Sequence, residues 1–298
     1  MTQMLNAAQT AALLPYPQLV RTLRTAVAGL AAGAILCPAR QVEPLQEGAL
    51  LLSMIATAQD IAVHKLISVV PDNPARGLPT ISGRVSVVDA VDGTVRLVLD
   101  GATVTGRRTA ALSMLGIEVL LGRAPRHVLL AGTGTQALNH AQALAELYPE
   151  ARISVASRSA ASVTAFCAQL PGARAGSLAD PGDDVDLVIT CTTSKQPVYQ
   201  HAARAGRLLI AVGAFKPDAA EITPQAVRAS RIFVDDPLGA QHEAGDLLQA
   251  GVDWAQVKGI AAALDAGPMA DGEPVLFKTV GCAAWDLAAA RVALANSA

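Results

Sequence analysis

The string Gly132-Thr133-Gly134-Thr135-Gln136-Ala137 has the small-residue spacing that lets a backbone turn tightly and lie against a phosphate. It follows the apolar residues 128–131 and precedes a stretch with Ala137, Leu138, Ala141, Leu144 and Ala145 at helical spacing. Strand, glycine turn and helix in that order are what a dinucleotide pyrophosphate requires. Gly132 serves the turn, Gly134 the close approach, and Ala137 the helix–strand packing, while the helix N-terminus meets the negative charge. The next apolar run ends Val155-Ala156-Ser157-Arg158-Ser159. A chain selective for NAD normally ends this strand with an acid that accepts from the ribose 2′-hydroxyl. Here Arg158 would instead pair with a 2′-phosphate and stack on adenine, with Ser157 and Ser159 donating to it. The pattern predicts NADPH in preference to NADH. Cys191-Thr192-Thr193-Ser194, after the fourth strand of this region, would line the same crevice.

A second group of residues suggests an anion site. Lys65 lies within Val63-His64-Lys65-Leu66-Ile67-Ser68-Val69-Val70. On a strand it shares its face with Val63, Ile67 and Val69, so its charge would point into apolar space. Arg107 and Arg108 follow Val104-Thr105-Gly106 and are expected to open a helix, where the macrodipole disfavours cations. A bound carboxylate would explain cations in such places, because Arg grips it bidentately. A lysine snorkelling at a strand edge and two solvated arginines are the structural alternative.

These residues need a framework, and the sequence pattern supplies two. Residues 1–30 have helical apolar spacing, interrupted at Pro15 and Pro17. Residues 49–55, 62–70, 84–91 and 94–99 are predicted strands, the last two joined at Asp92-Gly93 as a hairpin. Residues 109–121 return to helical spacing. After Gly122 short apolar runs (127–131, 153–156, 185–190, 208–212, 232–234) alternate with helical stretches such as 136–147 and 160–170. Parallel strands need crossover connections, so this alternation predicts a doubly wound sheet. The expected fold class is α/β. A Rossmann dinucleotide-binding domain over 122–281 accompanies an α+β domain over 1–121, and a final amphipathic helix covers 282–298.

Bulk composition removes several function classes. Of 298 residues 52% are hydrophobic and 16% charged, which points to a packed core rather than a disordered chain. A formal net charge of −2 gives no electrostatic footprint for nucleic acid. No apolar run reaches the roughly 18 residues of a membrane span. The first residues lack a basic segment followed by an apolar stretch, so a cytoplasmic location is expected. Cys37, Cys167, Cys191 and Cys282 are scattered and the histidines dispersed, so reduced thiols and no protein-bound metal are expected.

Taken in order, several stretches resemble the ornithine cyclodeaminase/mu-crystallin family over nearly the whole chain. They are Pro38-Ala39-Arg40, the Lys65 strand to Pro71-Asp72-Asn73, Gly77-Leu78-Pro79-Thr80, Leu99-Asp100-Gly101 and Thr105-Gly106-Arg107-Arg108-Thr109-Ala110-Ala111. The glycine string, Val212-Gly213-Ala214 and Phe277-Lys278-Thr279-Val280-Gly281 complete them. The resemblance implies that Arg40, Lys65 and Arg108 hold a substrate carboxylate, that Thr80 lines the same pocket, and that Val212 and Gly213 contact the cofactor. It also implies a homodimer built through the first domain, to which the last helix returns. The family's cyclodeaminases carry an Asp where this chain has Phe215, so the chain is closer to the ketimine-reductase branch. That branch reduces Δ1-pyrroline-2-carboxylate and Δ1-piperideine-2-carboxylate to proline and pipecolate. The proton donor stays open between Lys65, a water and a pre-protonated substrate. Other readings on the same scaffold are an ornithine or lysine cyclodeaminase recycling bound NAD, an amino-acid dehydrogenase, and a non-catalytic protein binding NADPH and a small carboxylate.

Overall fold

The computed structural model describes residues 2–266 and 272–297. The chain divides into two compact units, Met1–Leu112 with Cys282–Ala298, and Ser113–Gly281. The division falls within the helix Gly101–Gly116, earlier than the expected break at 121.

Among the described residues the first unit contains a six-stranded sheet ordered Gln3–Met4, Val95–Asp100, Ile81–Asp89, Ile61–Val69, Leu50–Thr57 and Gln41–Pro44. All neighbours are antiparallel except the first pair. Burial alternates strictly near Lys65: Val63, Lys65, Ile67 and Val69 point inward, while His64 and Leu66 are exposed. Period-two side-chain alternation therefore carries Lys65 to the covered face. The Asp92-Gly93 hairpin forms, but not as a two-residue turn. Asp89 and Thr94 close a wider loop in which Gly93 has φ of 74° and Asp92 accepts from the Thr94 N–H. The first thirty residues are not one interrupted helix. A short strand and the helix Ala7–Ala12 precede Tyr16–Ala31, where Pro17 sits in the first turn, needing no amide partner, and Pro15 is the cap.

Two expectations for this unit are corrected. Arg107 and Arg108 do not open a helix, because the helix begins at Gly101, with Asp100 accepting from the Thr103 N–H. Both arginines lie well inside it, and the macrodipole argument does not apply. The final helix Ala283–Asn296 is not amphipathic; residues from Ala283 through Ala290 are all buried. It packs on Tyr16–Ala31 and on the strands Ile61–Val69 and Leu50–Thr57, and alanine's small side chain permits that enclosure.

The second unit contains a parallel eight-stranded sheet among the described residues. Its order is Lys258–Gly259, Arg231–Val234, Val275–Lys278, Leu208–Ala211, Leu187–Thr190, His127–Ala131, Arg152–Ala156 and Arg174–Ala175. The chain builds outward from His127–Ala131 in one direction and then resumes on its other side at Leu187–Thr190. This reversal creates a switch-point crevice at the carboxyl ends of the strands. The strand Val275–Lys278, absent from the sequence reading as a strand, inserts between Leu208–Ala211 and Arg231–Val234.

Candidate functional site

Lys65 and Arg108 converge on one carboxylate. Lys65 Nζ lies 2.6 Å from Asp286 Oδ2, and Arg108 Nε donates to Asp286 Oδ1 at 3.3 Å. Lys65 is 1% exposed, Arg108 6% and Asp286 0%. The strand positions Lys65, the middle of the helix Gly101–Gly116 positions Arg108, and the first turn of Ala283–Asn296 positions Asp286, where the helix dipole favours an acid. Burial pulls the Lys65 ammonium down from 10.5 to about 8; Asp286 opposes that shift, while the charges of Arg108 and Arg40 add to it. Arg40 is partly buried and acts on this centre electrostatically. Three cations with one carboxylate leave positive charge in a low-dielectric place, an arrangement suited to a small carboxylate ligand.

Other predicted residues fall as follows. Thr80 is partly buried, and its carbonyl accepts from the Val70 N–H just beyond the Lys65 strand. Arg107 turns away from this centre and ties the helix to the N-terminal segment. Its Nε donates to the Leu14 carbonyl at 2.7 Å and its guanidinium stacks 4.0 Å over the Tyr16 ring. Phe215 is partly buried in the loop after Leu208–Ala211. Asp286 escapes sequence reasoning. Its signal is the lone acid near the start of an alanine-rich helix, which also reads as an ordinary helix-dipole acid.

In the second unit the glycine string occupies the turn from His127–Ala131 into the helix Thr135–Leu147. Gly132 has φ of 121°, and a Cβ there would lie 2.5 Å from the Cys191 carbonyl oxygen, so the chain itself demands glycine. Gly134 is different. Its φ is −87°, and a Cβ would meet no protein atom within 4 Å. No side chain caps the helix that begins there, so its first amide groups are left for solvent or a ligand to satisfy. A pyrophosphate fits this cradle in both shape and charge. Thr133 and Gln136 are partly buried, and Gln136 Oε1 is enclosed without a partner.

Arg158 is exposed past the strand Arg152–Ala156, where it is free to reach an anion from solvent. Ser159 caps the helix Ala160–Ala168 through the Ser162 N–H, and Ser157 lies 3.4 Å from Ser162 Oγ. Thr192, Thr193, Val212 and Gly213 follow the ends of the adjacent strands Leu187–Thr190 and Leu208–Ala211. A buried histidine supports the glycine turn from below. His140 Nδ1 donates to the Gln136 carbonyl at 2.7 Å, so Nε2 accepts from Ser113 Oγ at 2.9 Å. Burial lowers its pKa to about 4, which keeps this tautomer neutral.

A parallel doubly wound sheet with a glycine turn at its switch point defines a Rossmann-type nucleotide-binding protein, here with an additional α+β unit that carries a buried cationic cluster. More particularly, the chain belongs to the ornithine cyclodeaminase/mu-crystallin family, whose model matches residues 1–297. It is 56% identical to Delta(1)-pyrroline-2-carboxylate reductase 2 of Burkholderia ambifaria, over 97% of this chain and 94% of that protein. It is equally 56% identical to the Delta(1)-pyrroline-2-carboxylate/Delta(1)-piperideine-2-carboxylate reductase of Azospirillum brasilense, with the same coverage. The fold is shared with the Thermococcus litoralis Delta(1)-pyrroline-2-carboxylate reductase, solved with NADH and L-proline. The TM-score is 0.90 at 21% identity, covering 99% of this chain and 97% of that one.

Proposed function

We propose that this chain reduces Δ1-pyrroline-2-carboxylate and Δ1-piperideine-2-carboxylate to proline and pipecolate, with NADPH as the reductant. The observation that carries the reading is the buried convergence of Lys65 and Arg108 on Asp286, with Arg40 adding positive charge. The two bacterial reductases at 56% identity support the substrate class.

Two groups of residues divide the chemistry. Arg108 and Arg40 hold the imino acid's carboxylate, which fixes the ring and restricts its orientation. Lys65 donates a proton to the imine nitrogen, since an ammonium with a pKa of about 8 is charged at neutral pH yet gives up its proton readily. Asp286 keeps the Lys65 ammonium oriented through their 2.6 Å contact. NADPH held at 132–137 would supply the hydride to the C=N carbon. The carbon thus gains two electrons and a hydrogen, the nitrogen gains a proton, and the double bond becomes CH–NH. Arg158, with Ser157 and Ser159, favours NADPH through its 2′-phosphate. Phe215 stands where a cyclodeaminase needs an acid, and an apolar ring there suits the substrate methylenes better than an α-amino group.

A homodimer through the first unit accompanies this reading; Leu36, Val42, Ile55 and Leu66 leave apolar side chains half-exposed there. The deciding assay follows NADPH oxidation with pyrroline-2-carboxylate, piperideine-2-carboxylate, and pyruvate with ammonia or methylamine. Turnover of the two cyclic imines is expected. Ammonia release from ornithine without consumption of added NADPH would overturn the reductase in favour of the lyase.

A further inference from the structure

We infer that Glu221 is a positioning residue for the half of the dinucleotide that lies beyond its pyrophosphate, an inference that rests on the dinucleotide reading above. In a doubly wound sheet the adenylate half lies toward the second strand, here Arg152–Ala156. The other half then crosses the ends of Leu187–Thr190 and Leu208–Ala211, which pair in register from Leu187↔Leu208 to Thr190↔Ala211. Those ends continue into Thr192 and Gly213, and one carboxylate ties them together.

Glu221 Oε1 accepts from the Thr192 N–H at 2.6 Å. Its Oε2 accepts from the Gly213 N–H at 2.6 Å and the Ala214 N–H at 3.3 Å. The contact between the two loops is close enough that a Cβ at Gly213 would collide with the Thr192 carbonyl oxygen. The Thr192 N–H is turned inward to Glu221 and the Thr192 hydroxyl accepts from the Ser194 N–H at 3.3 Å, which orders the loop that carries the exposed Thr193 at the crevice.

The brace is itself anchored. The Glu221 N–H donates to Asp246 Oδ1 at 2.6 Å, and its carbonyl accepts from the Val198 and Tyr199 N–H groups at 2.9 Å. Asp246 Oδ2 lies 3.0 Å from Lys278 Nζ, both fully buried, and Lys278 ends the strand registered against Ala211. A buried carboxylate is costly, and a neutral side chain would fill the same volume without that cost. The Lys278 charge offsets part of that cost, and the placement is explained by the geometry it imposes, since both oxygens accept from loop backbones at the crevice floor.

The experiment compares affinity for NADPH with affinity for adenosine 2′,5′-bisphosphate, the adenylate half alone, in wild type, E221Q and E221D. In E221Q an amide NH2 opposes a backbone N–H at one of the two loops. NADPH affinity is expected to fall at least about tenfold, as for one hydrogen bond lost, with adenosine 2′,5′-bisphosphate binding held within about twofold. E221D keeps the charge and should recover part of the loss; it carries the same comparison if E221Q does not fold. Equal weakening of both probes, or no change in NADPH binding, overturns the role of Glu221. Wild-type protein that binds neither probe overturns the dinucleotide reading itself.

Discussion

Lys65 and Asp286 form a 2.6 Å ion pair that joins positions 221 residues apart, and neither side chain reaches water. Removing one partner of such a pair leaves uncompensated charge in the interior. Asp286→Ala is therefore expected to lower the unfolding free energy by about 3–5 kcal/mol, as broken buried pairs do. Urea denaturation measures it. A loss below about 1 kcal/mol, the size of an exposed pair, would mean that solvent already screens this contact.

The same pair sets a pH dependence. Proton donation needs charged Lys65, so kcat/KM should decline as pH rises through about 8. Unfolding does not account for that limb. Burial depresses the Lys65 pKa, so the native chain binds this proton more weakly than the unfolded chain, with its ordinary 10.5. The stability tied to the group is present above 10.5 and lost as pH falls through about 8, the opposite direction to the activity loss. In Lys65→Arg, which stays charged, the alkaline limb should disappear even where the rate is reduced. A limb unchanged in that variant assigns the titration to another group.

Parts of this site are visible in the amino-acid order, and the rest is hidden for physical reasons. Lys65 is legible because strand alternation is strict, and inward Val63, Ile67 and Val69 fix its direction. The glycine turn is legible because Gly132 meets a local backbone requirement. Asp286 is not, since its partners come from distant elements, and an acid in a first helical turn has a sufficient local explanation. Arg107 and Arg108 look alike as neighbours. Helical geometry separates adjacent side chains by about 100°, sending Arg107 to Tyr16 and Arg108 to Asp286. The strand Val275–Lys278 escapes notice because a short apolar run carries no periodicity, and its place in the sheet breaks chain order.

The two glycines of the turn should respond differently to one methyl group. Gly132→Ala forces alanine into a left-handed backbone region against the Cys191 carbonyl, and a loss of at least about 1–3 kcal/mol of stability is expected. Gly134→Ala meets no protein atom, and as a helix cap alanine costs only about 1 kcal/mol relative to glycine. Its methyl group instead occupies the space assigned to pyrophosphate, so NADPH affinity should fall by more than about tenfold while the melting temperature of the unliganded protein moves little. Unchanged NADPH affinity in Gly134→Ala would remove the pyrophosphate from this turn.

Arg158 tests the choice of cofactor separately from its binding. It is exposed, and no hydrogen bond to the rest of the described chain fixes its guanidinium, so truncation should leave the fold intact. A charge-assisted bond to a 2′-phosphate is worth about 1.5–3 kcal/mol, which corresponds to about 10–100-fold in affinity. Arg158→Ala should weaken NADPH by that factor and NADH by clearly less, because with NADH only the stacking on adenine is lost and the ribose 2′-hydroxyl offers no charge. Parallel weakening of both nucleotides would make Arg158 an adenine contact and move the source of any NADPH preference to Ser157 and Ser159.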